Sequence, residues 1–401
     1  VLTLDGKNIT VRINRRILGV SILAALALVA ALAAIIYLPG ARARWSEPLG
    51  PGLGLPTLTP TAQPQALIVQ PTAASEAVGQ VEQGSPAPGI AQDQLATDEP
   101  AVTIPTPKPQ PLCGGPAVMT ILGVGADSGP DYLYGLADVI RIARIDFVTP
   151  KVTVLSIPRD LWVEIPEIEN PYGIDHGKLN QAFFYGSPGM GYYKGPGGGP
   201  GLLARTLDLN FGLRPDHYGA VDMITFARIV DAVGGIDLYL PYDVDGRPID
   251  EKTEDMGYFT AGQQHFTGEE ALRFSRIRKK YNDFTRMDHQ NMVICALKEK
   301  ITSPSVLPKI PRLIAAFNDS ILTDLSPEQL AQFACLAPQL KRENLLFTSL
   351  PDEILSPGRV YSPQQKSEVF IMEADFSVIR DYISRFMAGK WPTQPDEPTC
   401  P

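Results

Sequence analysis

The sequence predicts an α/β fold: a layered domain with a central mixed sheet flanked by helices, placed after an N-terminal transmembrane helix. Three observations lead there. Between residues 117 and 390, short β-rich apolar runs alternate with stretches of helical period, the pattern of helices packed on a sheet. No clean βαβ series and no GxGxxG or GxxxxGK[ST] motif occurs, so a dinucleotide-binding or P-loop fold is not indicated. An uncharged run of 22 residues, Ile17–Leu38, stands well before that domain.

That apolar run is rich in Ala and Leu. At ~1.5 Å per residue it spans a ~30 Å hydrocarbon core as a helix, which satisfies its own backbone in lipid. A cleaved secretory signal is the alternative, but its apolar region is usually only ~7–15 residues. Arg12, Arg15 and Arg16 precede the run, and Arg42 and Arg44 follow it. Basic flanks tend to stay inside. The expected order is a cytoplasmic tail at 1–16, a single-pass anchor in the cell membrane at 17–38, and the rest outside the cytoplasm. Residues 39–116 read as an extracytoplasmic linker. Fifteen of those 78 residues are Pro, which lacks a backbone donor and interrupts regular elements.

Residues 117–390 are long enough to bury one substantial core. Val118–Val124 and Val139–Phe147 read as buried strands. Lys151–Ile157 reads as a third, paired with the second through the turn at Thr149 and Pro150. Helical patterns follow at Leu202–Asn210 and Met223–Val233, the latter ended by Gly234 and Gly235. Ile236–Leu240 returns to a strand. Thr267 and Glu270 have capping-box spacing. Arg286–Ile301 is a longer helix, and Ser326 with Pro327 opens another. Residues 391–401 read as a flexible tail.

The formal net charge of −9 argues against a general nucleic-acid binder, which needs clustered cations. Cys113, Cys295, Cys335 and Cys400 permit disulfides outside the cytoplasm, with three full pairings open. No CxxC or HExxH supports a zinc site.

Three groups of residues can carry chemistry. Asp127 follows the first strand and Asp138 precedes the second. Adjacent strand ends bring such carboxylates together, and oxygen ligands of this kind suit Mg²⁺; a turn role for Asp127 and a cap or edge role for Asp138 stay open. Ser156-Ile-Pro-Arg-Asp160 delivers Arg159 and Asp160 from a strand end into a loop, as an exposed ion pair or as a ligand contact. In Arg273-Phe-Ser-Arg-Ile-Arg-Lys-Lys280, a strand would point Arg276, Arg278 and Phe274 one way and Ile277 the other. That is a two-pronged clamp for phosphate. Lys178 and Asn180 offer further polar contacts, and Phe183, Phe184 and Tyr185 pack or line an apolar channel. The Gly-rich stretch 186–201 reads as a surface loop.

Taken together these segments resemble the LytR-CpsA-Psr family of cell-envelope proteins. The resemblance runs through Ile121–Asp127, Ala137-Asp138, Val154–Asp160 and Lys178–Ala182. It continues through Val221–Phe226, Val230–Asp237 and Phe266–Arg278, and ends on Asp283-Phe284, Arg286 and Gln290. It covers roughly residues 117–390. It implies transfer of a glycopolymer phosphate from a polyprenyl-pyrophosphate carrier to a peptidoglycan hydroxyl, with release of polyprenyl phosphate and a possible pyrophosphatase side reaction. It implies arginines and Mg²⁺ at the pyrophosphate, and an apolar cavity for the prenyl tail. The family's metal-associated acids fall on Asp127 and Asp138, and its arginines on Arg159, Arg276, Arg278 and Arg286. The chain departs from the pattern at Leu136, Gly129 and His289, where the family commonly has Arg, and at Asn291. The expected compensation is by Lys178, Lys279, Lys280 or Arg141. A protein that binds or senses polyprenyl phosphate without turnover is the alternative.

Overall fold

The computed structural model describes residues 2–4, 7–9, 44–56, 109–306 apart from 279 and 282, 313, and 320–393 apart from 364. The apolar run 17–38 and residues 57–108 of the expected linker lie outside them. Among the described residues no helix is long and apolar enough to cross a membrane. Near the N-terminus, β1 (Leu2–Leu4) and β2 (Lys7–Ile9) form a hairpin.

The three expected strands are β3 (Val118–Ser128), β4 (Gly135–Asp146) and β5 (Lys151–Ser156). They form a continuous antiparallel meander, and Asp146 pairs with Lys151 across the anticipated turn. A small ladder of β6 (Trp162–Glu164) and β7 (His176–Lys178) leads into α1 (Leu179–Gly186), and α2 (Gly198–Phe211) follows. β8 (His217–Asp222) returns parallel to β3. Asp222 then caps α3 (Met223–Ala232), accepting from the Ile224 and Thr225 amides.

β9 (Ile236–Leu240), β10 (Val244–Asp245), β11 (Tyr258–Phe259) and β12 (Gly262–Phe266) form two short ladders beside α4 (Gly268–Arg276) and α5 (Asp283–Thr302). β13 (Ile321–Thr323) pairs with β8. α6 (Pro327–Leu336) is capped by Ser326. β14 (Leu345–Ser349) lies parallel to β5. A separate hairpin, β15 (Leu355–Ser362) with β16 (Ser367–Ala374), precedes α7 (Phe376–Met387). The central sheet is six-stranded and mixed, in the order β13-β8-β3-β4-β5-β14.

Both faces of the sheet are covered. Leu122, Val124, Ile140, Ile142 and Leu155 pack with α1, α2 and α7. The opposite face meets α5 through Val154, Phe347 and Cys295, and α6 through Met119, Ile145 and Leu336.

Three expectations are corrected. The Gly-rich stretch is not a surface loop along its whole length. Gly198–Gly201 opens α2 against α1, where a Cβ on Gly199 would lie 2.9 Å from the Phe183 carbonyl oxygen. Only glycine allows that approach. Second, Arg276 ends helix α4 and is not in a strand. The Thr267–Glu270 capping box starts that helix, and Phe274 is buried in it. Third, part of the expected linker belongs to the domain. Leu53 is buried, the Leu49 amide donates to the Leu325 carbonyl, and Tyr218 donates to the Pro51 carbonyl. Apolar residues between the prolines give this stretch something to bury.

A disulfide joins Cys113 to Cys335, tying the start of β3 to α6. No described cysteine is free. Trp391 packs edge-on against Tyr382, so the stretch expected as a tail is packed at its start, and residues 394–401 of it lie outside the described residues.

Candidate active site

A break in the ladder between β3 and β4 positions the site. Gly125 pairs with Val139 and Ala126 with Ala137, which leaves Asp138 as an extra residue with no partner. Side chains on a strand alternate between faces, yet Ala137 and Ile140, three apart, both enter the same core cluster. The bulge at Asp138 accounts for this. It re-aims the carboxylate off the ladder and next to Val139 and Arg141 on the opposite face.

There the side chains meet two cavities. The larger, about 550 Å³, lies between β4 and helices α3, α4 and α5. Val139, Val221, Phe226, Leu272 and Val293 give it an apolar lining, and Asp127, Asp138, Arg276 and Arg278 are also on its walls. The second, about 480 Å³, is bordered by Arg159, Asp160, Asp352 and Phe370. Asp138, Val139, Arg141, Arg278, Arg286 and Gln290 line both. The two cavities therefore share one wall, and that wall carries a carboxylate and three guanidinium groups.

Arg159 leaves the end of β5 and donates to the Asp138 carboxylate. Its Nε lies 3.5 Å from Asp160, and Lys178 Nζ donates to Asp160 at 2.8 Å. The chain of Asp138, Arg159, Asp160 and Lys178 locks the arginine in one orientation. The Asn180 amide donates to the Arg159 carbonyl at 3.0 Å, so Asn180 steadies the loop through its backbone. Neither Lys178 nor Asn180 is among the residues lining either cavity.

Ile277 leaves α4 with an extended backbone and is buried. Arg276 and Arg278 on either side of it both reach the larger cavity. Ile277 lines the same cavity, so the alternation expected of a strand does not separate it from the two arginines. Arg276 is held by Glu254, with Nη2 to Oε2 at 3.0 Å. Lys280 is held by Asp245 at 2.8 Å, and Lys279 lies outside the described residues.

Arg141 is the residue whose role the sequence understated. Its guanidinium is buried between the sheet and α5 and donates to Asn291 Oδ1 at 2.6 Å and Gln290 Oε1 at 3.1 Å. Its buried Nε has no partner among the described residues. Burial, and then the neighbouring charge of Arg286, lower its pKa to about 10. Arg286 is buried as well. Two guanidinium groups set together in a low-dielectric wall raise the affinity of that wall for an anion. His289 points elsewhere. It packs 4.5 Å from the Phe274 ring, and burial depresses its pKa to about 4, so it is neutral at pH 7.

Asp127 is exposed at the edge of the larger cavity. Asp222 also lines that cavity, but its carboxylate is used by the amides and hydroxyl that start α3. Among the described residues no cluster of three or more metal-ligating side chains forms. Mg²⁺ needs less, since one or two carboxylates with substrate phosphates and water suffice. Asp127 and Asp138 fit that donor set.

The profile of the LytR_cpsA_psr family matches residues 103–375. A polyisoprenyl-teichoic acid–peptidoglycan teichoic acid transferase of Bacillus subtilis (strain 168), TagV, is 30% identical over 196 residues, which is 48% of this chain and 45% of that protein. TagU of Enterococcus faecalis (strain ATCC 700802 / V583), a transferase of the same description, is 27% identical over 221 residues, 54% of this chain and 64% of its own. The chain spans about half the length of the curated relatives it matches. Among solved structures, protein gbs0355 of Streptococcus agalactiae superposes with a TM-score of 0.52 at 20% identity, covering 70% of this chain and 90% of that one. A structure of TagT bound to LIIa-WTA gives 0.51 at 19% identity, covering 68% and 90%. These structures share the fold. With well over half its length matched by the profile, the chain belongs to the LytR_cpsA_psr family.

Proposed function

We propose that the protein transfers a glycopolymer phosphate from a polyprenyl-pyrophosphate carrier to a hydroxyl of the cell wall and releases polyprenyl phosphate. The single observation that carries this reading is the charged wall common to two cavities. Arg141, Arg278 and Arg286 on that wall, with Arg159 beside it on the second cavity, offer a pyrophosphate several guanidinium donors. The apolar lining of the larger cavity suits an isoprenoid tail. The transferase descriptions of TagV and TagU agree with the reading.

In the reaction the acceptor oxygen bonds to the sugar-linked phosphorus, the phosphoanhydride bond breaks, and the pair of electrons leaves with polyprenyl phosphate. The hydroxyl proton passes to Asp138. The guanidinium groups are fixed before the reaction, so they stabilise the charge that spreads over the phosphoryl oxygens without reorganising. Asp127 and Asp138 would hold Mg²⁺, which when bound supplies further charge neutralisation at the phosphates. Water in place of the acceptor would give slow pyrophosphatase activity. The Cys113–Cys335 disulfide supports placement outside the cytoplasm, consistent with residues 17–38 as a membrane anchor.

The test is product formation from a prenyl-pyrophosphoryl saccharide with Mg²⁺ and a peptidoglycan acceptor. Release of prenyl phosphate, lost in Asp138→Asn, is the expected result. Tight binding with no product would support the sensing protein instead.

A further inference from the structure

The second cavity has a wall that the transfer reading leaves unused. β15 and β16 pair only with each other among the described strands, yet this hairpin is pinned to the arginine loop. The Met372 amide donates to the Asp160 carbonyl at 2.8 Å, and Leu161 bridges to Met372. The attachment sets Pro357, Phe370 and Met372 along the second cavity. Phe370 is 45% exposed there. Full burial of such a ring contributes about 1.5–3 kcal/mol, so a partner that covers it where it borders the cavity gains from the contact. Lys178 Nζ lies 5.9 Å from the ring centroid. Asp352 lines the same cavity.

We propose that the second cavity receives the acceptor, a saccharide whose ring stacks on Phe370 while its hydroxyls meet Lys178 and Asp352. An exposed aromatic face packs against the C–H face of a sugar ring, and a charged donor and acceptor at its rim match sugar hydroxyls. The assignment rests on the transfer reading, and in-line displacement gives it direction. The attacking and leaving oxygens stand on opposite sides of the transferred phosphorus. With the phosphates at the residues both cavities share and the isoprenoid phosphate leaving toward the larger apolar cavity, the attacking hydroxyl comes from the second. The new P–O bond then forms from the second cavity, and the hydroxyl proton passes to Asp138, which borders both. Lys178 thereby gains the substrate role that its sequence position suggested, at the rim and not inside the cavity.

The test is equilibrium binding to the full chain of chitotetraose and, separately, of farnesyl pyrophosphate. The wild type is expected to bind both. Phe370→Ala should weaken chitotetraose by about tenfold or more and leave farnesyl pyrophosphate within about twofold, which also reports a folded protein. Phe370→Trp should retain the saccharide. Three results would overturn the assignment: no saccharide binding by the wild type, equal saccharide affinity in Phe370→Ala, or a parallel loss of farnesyl pyrophosphate. Should saccharide binding follow Phe370 while the wild type consumes no prenyl-pyrophosphoryl donor, the transfer reading fails and the saccharide site stands.

Discussion

Replacing Arg141 with Met separates what this buried guanidinium costs the fold from what it gives to an anion. An ordinary guanidinium stays charged up to about pH 12; in the folded protein burial and Arg286 bring Arg141 to about 10. That difference corresponds to roughly 3 kcal/mol against the charged form in the folded state. Below pH 10 the group is charged in both the folded and unfolded chains, so the destabilisation is fully present there. It fades only as pH rises from 10 toward the unfolded value. Met removes this term but strips Asn291 Oδ1 and Gln290 Oε1 of their donor, at about 1–3 kcal/mol each if they stay unsatisfied. The two effects oppose each other, so the melting temperature without ligand should move by no more than about 12 °C.

Pyrophosphate should tell the two proteins apart. A charge-assisted hydrogen bond contributes about 1.5–3 kcal/mol, so losing one weakens binding at least about tenfold. At 100 times the wild-type Kd, ligand stabilises the wild type by about 2.7 kcal/mol and the variant by less than about 1.4 kcal/mol. For a domain of this size each kcal/mol is about 2–4 °C. Thermal melts with inorganic pyrophosphate and Mg²⁺ should therefore show a shift of about 5–10 °C in the wild type and at most half that in Arg141→Met. Equal shifts would refute a phosphate role for Arg141.

Further expectations concern the loop, the pH response and the disulfide. Arg159→Lys keeps a charge but loses the planar fork that meets Asp138, and turnover should fall about 10²–10³-fold in steady-state assays; wild-type kcat would remove Arg159 from the mechanism. His289 has its folded pKa depressed to about 4, below the ordinary ~6.5. Stability should thus be intact above pH ~6.5 and fall by up to roughly 3 kcal/mol as pH drops toward 4. His289→Phe should flatten that slope in urea melts at a series of pH values, and an unchanged slope would assign the acid sensitivity elsewhere. Cys335→Ser opens the link to Cys113 and should cost about 2–5 kcal/mol in denaturant unfolding. A loss below about 1 kcal/mol would show that packing alone holds α6.

The local elements were legible where one periodicity dominates. β5, β9, α3 and the α6 cap fall where apolar spacing and capping residues put them. The extension of β3 through Asp127 was not, because Gly125, Gly129 and Pro130 read as turn formers and only pairing with β4 keeps that stretch extended. β14 escaped for a related reason: its partner β5 lies almost 200 residues earlier, and no local pattern records a distant parallel neighbour. Arg159 was found from the end of β5, whereas Asp138, expected just ahead of the second strand, lies inside β4 because pairing with β3 begins at Gly135; the structure puts the two in contact. Arg141 was only one of four candidate compensations. A charged residue within an apolar strand looks outward-facing until a helix is laid over it, and α5 does that here. Phe370 gave no signal in the sequence, because exposure of an aromatic on a hairpin follows from where the hairpin docks.

The unpaired residue between Ala137 and Val139 makes the catalytic arrangement a matter of chain length as well as of chemistry. Point changes at Asp138 remove a charge and leave the count of residues intact. Deleting that position would let β3 and β4 zip without interruption, and because Ala137 and Ile140 would then stand two apart, every neighbour would keep its face. Ala137 would stay in the core and Arg141 on the opposite face, and only the carboxylate and the local bend would go. A one-codon deletion there should therefore leave the sheet in register and cost the chemistry what loss of the carboxylate costs, so the extra residue serves that one side chain.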